Sequence, residues 1–259
     1  MFALSKDYKN ALQSALGGEA VSVFAYGVLD STNTEAKRLA ANGQTAPAVI
    51  AAESQTEGRG RMGRAFYSPH QTGAYFSFLY TPTDSLENAV SVTGATAVAV
   101  MEAIFELTGL KCEIKWVNDL YLHGRKVCGI LCESVFVNDR PQIIVGIGIN
   151  LCTTEFPKVL SNKAGALGVS VDRCQLIASV WRHLSPFLQN ANDRSWLEAY
   201  RAHSCVIGKQ IEWTEGERRF MGIATGIDTE GGLTVQLADG TEKTLRTGEI
   251  SVFVEGINL

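Results

Sequence analysis

Residues 53–64, Glu53-Ser54-Gln55-Thr56-Glu57-Gly58-Arg59-Gly60-Arg61-Met62-Gly63-Arg64, decide how the rest of the chain is read. Arg59, Arg61 and Arg64 are interleaved with Gly58, Gly60 and Gly63. A guanidinium is a flat, permanently charged fork that suits bidentate anions such as phosphate and carboxylate. Glycines let backbone move and approach a ligand closely. Together they describe a mobile anion-binding loop, set against the plainer alternative of a solvated charged loop. The same glycines match G-x-G-x-x-G, but that dinucleotide fingerprint must open into a helix. Here Arg64-Ala65-Phe66-Tyr67-Ser68-Pro69 follows, which does not start one, and arginines fill the spacer positions. A nicotinamide site is therefore set aside.

Outward from the loop, Ala48–Glu53 reads as a buried strand, and the polar stretch Gln55–Gln71 is too long for a simple turn, a length usually reserved for function. Upstream, Ser5–Leu16 is a short helix stopped by Gly17-Gly18, and Val21–Tyr26 is a strand. Thr32 and Glu35 have capping-box spacing, which predicts a helix ending at Gly43. Downstream, Gly73–Tyr80 is a strand and Ser85–Leu107 a long buried helix stopped at Gly109. Strands are expected at Cys112–Val117, Val127–Phe136 and Gln142–Leu151, with turns at His123-Gly124 and Asn138–Pro141. Helices follow at Asp172–Gln189 and Ser195–Ala202, where Trp181 and Trp196 read as core. Near Gly208 the character changes to short β runs broken by Glu215-Gly216, Gly231-Gly232 and Asp239-Gly240, the last a hairpin signal. The expected domains are 1–207 and 208–259.

The 259 residues carry 46% hydrophobic and 19% charged side chains, enough apolar material for a core and against global disorder. A net charge of −4 argues against a general nucleic-acid binder. Any positive site is local. None of the six cysteines, Cys112, Cys128, Cys132, Cys152, Cys174 and Cys205, forms a Cys-x-x-Cys pair, so reduced thiols and a cytoplasmic location are expected. Met1–Ala20 lacks an apolar signal core, and no uninterrupted apolar run is expected to reach the ~20 residues that span a bilayer.

Three further segments carry chemistry. Lys115-Trp116-Val117-Asn118-Asp119-Leu120 gathers polar groups at a strand end, although Asn-Asp is also a common turn. In Gly124-Arg125-Lys126-Val127-Cys128-Gly129-Ile130-Leu131-Cys132-Glu133, Lys126 enters an apolar strand, costly for an ammonium unless it meets an anion or snorkels to water. Gly146-Ile147-Gly148-Ile149-Asn150-Leu151 offers glycines where a ligand can approach a strand.

In this order and spacing, Ser31-Thr32-Asn33, the Gly-Arg-Gly-Arg loop with Gly63-Arg64, Lys115-Trp116 with Asn118-Asp119, Arg125-Lys126 with Gly129-Ile130-Leu131, and Gly148-Ile149-Asn150-Leu151 resemble the biotin protein ligase family. Val117 stands where that family usually has proline. The resemblance implies an α+β fold: a mixed sheet with flanking helices like class II aminoacyl-tRNA synthetases, plus a small C-terminal SH3-like β-barrel. Too few residues precede Val28 for the DNA-binding domain of some relatives, so the ligase-only class is expected. The implied activity makes biotinyl-5'-AMP from biotin and ATP with Mg²⁺, then passes biotin to a lysine of a biotin carboxyl carrier protein of an acyl-CoA carboxylase.

The same resemblance distributes roles. Catalysis falls to Lys126, Arg61 and Asp119, the last as proton acceptor for the target lysine. Biotin contacts are expected from Ser31, Thr32, Asn33, Gln55, Gly58, Arg59, Gly60, Arg61, Lys126 and Gly129. The nucleotide is expected to meet Arg61, Arg64, Phe66, Lys115, Asn118, Lys126 and Asn150, with Phe66 against the adenine. Magnesium is expected through the phosphates rather than on protein ligands. No nucleic acid or membrane partner is expected, and both a homodimer on the sheet edge and a monomer stay open. A lipoate ligase shares the logic but ordinarily continues its arginine loop into glycines, which are missing here. A non-catalytic biotin-responsive regulator and a nicotinamide oxidoreductase are the remaining alternatives.

Overall fold

The computed structural model describes residues 2–44, 47–82, 89–190, 192–254 and 257–258. In chain order the elements are α1 (Lys6–Leu16), β1 (Ser22–Leu29), α2 (Thr32–Ala41), β2 (Ala48–Gln55), a short 3₁₀ turn (Arg61–Gly63), β3 (Gly73–Tyr80), α3 (Ala89–Thr108), β4 (Glu113–Lys115), β5 (Asp119–Leu122), β6 (Arg125–Val137) and β7 (Arg140–Asn150). They continue with α4 (Arg173–Gln189), α5 (Trp196–Ala202), β8 (Gln210–Glu215), β9 (Arg218–Ile227), β10 (Leu233–Gln236), β11 (Glu242–Leu245), β12 (Ile250–Val254) and β13 (Ile257–Asn258). The first seven strands form one sheet in the order β1-β2-β3-β7-β6-β5-β4, and the last six a second in the order β11-β10-β9-β8-β12-β13. β1 and β2 run parallel and the other pairs of the first sheet antiparallel, so it is mixed.

Alternation along the strands gives the two faces different partners. Phe76, Phe78, Val145, Ile147 and Ile149 point to one face and join a core with Val100, Ile104, Ile177 and Trp181 of α3 and α4. Ile50, Ala52, Leu79 and Ile144 point to the other and pack with Ala36 and Ala40 of α2. Gly146 and Gly148 share this second face with Tyr75 and Ser77, because residues two apart on a strand lie on one side. The glycines therefore thin the floor directly beneath the start of α2.

Several expectations need correction. The predicted strand Cys112–Val117 splits: β4 stops at Lys115, the Trp116–Val117 peptide is cis, and the chain returns as β5, which periodicity did not predict. Four residues of β5 are too few to display a period. The Thr32–Glu35 capping box does not form. Ser31 is the N-cap without a side-chain cap bond, Thr32 turns to Gln55, and Glu35 is taken by Tyr26 and Arg38. The start of the helix expected from Ser85 lies outside the described residues. Val90–Thr108 is long and apolar enough to cross a bilayer by length and composition, but Glu102 and Glu106 interrupt it and 72% of its most apolar stretch is buried inside the protein.

The second sheet begins where the composition shifts. The Asp239-Gly240 hairpin joins β10 to β11, with Gly240 at φ 83°. This sheet docks on the first unit through Trp116 Nε1, which donates to Gly231 O at 3.0 Å, and Arg201 Nε, which donates to Ile227 O at 2.9 Å. Trp196 and Trp181 are buried as expected, and all six cysteines are free.

Candidate active site

A cleft of roughly 430 Å³, counting its open mouth, lies on the α2 face of the mixed sheet. It is lined by Ser31, Thr32 and Asn33 at the start of α2, Gln55 at the end of β2, and Arg59, Gly60, Arg61 and Phe66 from the loop. Asn118, Lys126 and Gly129–Leu131 complete one wall and Gly146–Gly148 the floor. Segments spread from Ser31 to Gly148 thus converge on one cavity.

Register explains the convergence. Tyr75, Gly148, Gly129 and Asp119 lie opposite one another in a single row across β3, β7, β6 and β5. The neighbouring row on the same face holds Ser77, Gly146 and Leu131. Side chains from above occupy the space that side chains at these glycines would take. A Cβ on Gly148 would stand 2.4 Å from the Phe66 ring, and one on Gly146 would stand 2.0 Å from Asn33 Oδ1. Gly58 is closed in the same way by Phe66 O at 2.3 Å, so the loop must have glycine there to fold back beside Gln55.

The polar end of the cleft is a connected network. Gln55 Oε1 accepts from Thr32 N at 2.8 Å and Thr32 Oγ1 at 3.2 Å, and Gln55 Nε2 donates to Ser68 Oγ at 2.8 Å. The Ser77 hydroxyl lies 2.6 Å from Asn33 Oδ1 and 2.8 Å from Thr32 Oγ1. Asn33 Nδ2 donates to Leu131 O at 3.2 Å and to Glu133 Oε2 at 2.9 Å. Lys37 Nζ and Arg59 approach Glu133 Oε1 at 2.7 and 3.3 Å. Burial alone would raise the Glu133 carboxyl, but hydrogen bonds from Lys37 and Asn33 outweigh it and hold it below the ordinary carboxylate range.

The cationic end is built around Lys126, whose Nζ lies 2.7 Å from Asp119 Oδ1. That contact is an ion pair off the hydrogen-bonding direction, since the same oxygen has no aligned donor. Arg61 reaches Asn118 Oδ1 and the carbonyl of Gly248, both at 3.1 Å, while Asn118 Nδ2 donates to Ile130 O at 3.0 Å. Arg64 is paired with Glu249. The arginine loop is thus held partly by the C-terminal sheet.

Most of the sequence-predicted residues meet here, and five of them, Gly58, Arg64, Lys115, Asp119 and Asn150, do not line the cavity. Arg64 points away to Glu249. Lys115 lies over the Tyr121 ring at 5.6 Å, with burial lowering its pKa. Asn150 is buried and donates to Gly165 O at 2.9 Å, bracing the segment that follows Lys163 alongside Lys126. Phe66 lines the cleft over the Gly129–Gly148 floor, edge-on to Tyr75 at 6.4 Å. Sequence reasoning assigned no role to Ser77, Lys37, Glu133, Gly248 or Glu249. Lys37 was findable, since it follows Asn33 by one helical turn; Ser77 and the C-terminal pair carry no local signal.

Comparison with known proteins agrees with this geometry. Residues 25–150 match the biotin/lipoate A/B protein ligase family, and residues 206–252 match the biotin protein ligase C-terminal domain. The bifunctional ligase/repressor BirA of Bacillus subtilis is 31% identical over 83% of this chain and 70% of its own. The biotin--[acetyl-CoA-carboxylase] ligase of Mycobacterium tuberculosis is 30% identical over 82% of each chain. The biotin protein ligase from Aquifex aeolicus, solved in complex with biotin and ATP, superimposes with a TM-score of 0.77 at 30% identity, covering 90% of this chain and 98% of that one. A cleft with a polar network at one end and paired cations at the other, identity sustained across both sheets, and a shared overall fold lead to one conclusion: the chain belongs to the biotin protein ligase family.

Proposed function

We propose that this chain joins biotin to AMP and then transfers the biotin to a carrier lysine. A carboxylate does not form an amide unaided, because its oxygen is a poor leaving group. In the first step a biotin carboxylate oxygen bonds to the α-phosphorus of ATP while the bond to the bridging oxygen breaks and pyrophosphate departs. Two anions must meet, and fixed cations lower that barrier. Lys126 takes the carboxylate and α-phosphate, Arg61 and Arg64 the phosphates. Magnesium carried by the triphosphate supplies further neutralisation. No group of three or more His, Cys, Asp or Glu among the described residues is arranged to hold a metal, and the cationic lining suits phosphate better than a bare cation.

The biotin head belongs at the Ser31–Asn33 and Gln55 end, with Gly58, Arg59 and Gly60 closing over it and the acyl chain running along Gly129. Asn118 and Asn150 act on the nucleotide side, Asn118 through Arg61 and Asn150 through the segment beside Lys126. Lys115 acts near Asp119, and Phe66 screens the intermediate from water above the glycine floor. In the second step the carrier amine attacks the acyl carbon, AMP leaves, and the amine gives up a proton, for which Asp119 is the nearest carboxylate to Lys126.

The two units, 1–207 and 208–259, correspond to a class II synthetase-like catalytic domain and an SH3-like barrel in this reading. The carrier is the biotin carboxyl carrier protein or domain of an acyl-CoA carboxylase. The enzyme works in the cytoplasm as a ligase without nucleic-acid or membrane partners, as a monomer or as a homodimer on an edge of the mixed sheet. The convergence of Lys126, Arg61 and the Thr32–Asn33–Gln55 network in one cleft carries the proposal. Biotin-dependent exchange of labelled pyrophosphate into ATP tests it: exchange that requires biotin supports the first step, and biotin binding without exchange overturns it.

A further inference from the structure

We propose that Glu133, on β6, is a positioning residue that sets the direction of hydrogen bonding around the biotin head, acting through Asn33; this rests on the biotin reading of the cleft. A carboxylate can only accept hydrogen bonds. Glu133 Oε2 and Leu131 O together take both N–H groups of the Asn33 amide, at 2.9 and 3.2 Å. Asn33 Oδ1 is thereby turned towards Ser77, whose hydroxyl stands 2.6 Å away. Turning the amide over would set its oxygen against a carboxylate and a backbone carbonyl at once. Ser77 must then donate to Asn33, which turns the single Thr32 hydroxyl proton towards Ser77 Oγ at 2.8 Å in preference to Gln55 Oε1 at 3.2 Å, and Gln55 Oε1 keeps the Thr32 backbone N–H at 2.8 Å. One carboxylate thus orders the protons of Asn33, Ser77 and Thr32 in turn. A cyclic urea has one acceptor oxygen flanked by two N–H donors, so its binding depends on that order.

Glu133 has a second attachment. Its Oε1 pairs with Lys37 at 2.7 Å and with Arg59 at 3.3 Å, so the carboxylate that orders the head cluster also tethers the entry to the arginine loop. Glutamine at this position cannot serve both sides. Lys37 and Arg59 demand its oxygen, which turns its N–H groups onto the Asn33 amide nitrogen and drives Asn33 to reverse.

The test is Glu133→Gln in the full-length protein, read by biotin binding and by pyrophosphate exchange. Loss of a charge-assisted arrangement corresponds to about a ten- to hundredfold weaker biotin Kd, with the KM for ATP and kcat at saturating biotin within about twofold. Glu133→Asp, which keeps the charge, restores part of the affinity. In an Asn33→Ala background, Glu133→Gln adds little further loss, because the effect passes through Asn33. Unchanged biotin affinity in Glu133→Gln, additive losses with Asn33→Ala, or equal damage to biotin and ATP parameters overturns the inference. The wild-type control separates the two proposals: an unsubstituted protein that shows no biotin-dependent exchange defeats the ligase reading, whereas an active one unaffected by Glu133→Gln defeats only this one.

Discussion

Asp119 and Lys126 meet at 2.7 Å across the β5–β6 ladder, and Gly129, the register partner of Asp119, leaves the space beside them open to the cleft. The bulge between Leu120 and Tyr121 shifts that ladder by one residue, which puts Lys126 opposite Tyr121. The carboxylate fixes the ammonium at the wall of the cavity.

Lys126→Ala should remove biotin-dependent pyrophosphate exchange by roughly 10²–10³-fold, the usual effect of deleting one preorganised stabilising group. Biotin binding should weaken by the one lost carboxylate contact but persist through the head cluster. Isothermal titration with biotin alongside the exchange assay separates the two. Near-normal exchange would remove Lys126 from the chemistry.

Arg64 gives a different pattern. Its side chain is 68% exposed and paired with Glu249, and such surface pairs are worth about 0–1 kcal/mol after screening. Arg64→Ala should therefore leave the melting temperature nearly unchanged while raising the KM for ATP about tenfold, in line with one lost charge-assisted phosphate contact. A large loss of stability with unaltered KM would mean that Arg64 serves only to hold the C-terminal sheet.

What could be read beforehand divides along physical lines. Strands β2, β3 and β7 and helices α1 and α4 announce themselves by apolar runs and glycine stops, and their placement agrees to within a few residues. β5 did not, because its four residues follow a cis turn and owe their conformation to pairing with β6. At the site, Arg59–Arg61, Asn118 and Lys126 stood out by local residue chemistry, Ser31–Asn33, Gln55 and Gly129 only through the family resemblance, and all line the cleft. Ser77 was not, since an isolated serine in a strand becomes meaningful only when register sets it beside Gly146 and beneath Asn33. The anchoring of the loop by Gly248 and Glu249 joins residues nearly two hundred positions apart, which no local pattern encodes.

Acid should loosen the head of the cleft by protonating Glu133. Its carboxyl is held below the ordinary range in the folded protein, whereas in the unfolded chain it returns to about 4.3. The folded state is therefore favoured by this group above pH of about 4.3, and that contribution is lost as pH falls through the lower folded value. The melting temperature of the wild type should drop over this interval, and Glu133→Gln should flatten part of the drop. Identical slopes in the two proteins would show that the network with Lys37 and Asn33 contributes nothing to stability.

Gly148 and Phe66 provide the last test. A methyl group on Gly148 would stand 2.4 Å from Phe66 Cε1 and 2.7 Å from Cζ, closer than packed carbons approach. The floor strand is fixed by pairing on both sides, with β3 and β6, so the ring must yield rather than the backbone. Gly148→Ala should cost about 1–3 kcal/mol of stability by overpacking. It should also lift the ring off the floor, speeding hydrolysis of bound adenylate. Phe66→Ala should speed the same hydrolysis by removing the ring outright. Combined with Phe66→Ala, the added methyl meets vacated space and its penalty should fall below about 1 kcal/mol, a coupling that unfolding of the four proteins in a double-mutant cycle measures directly. Strict additivity would mean that the ring does not rest on this glycine in solution.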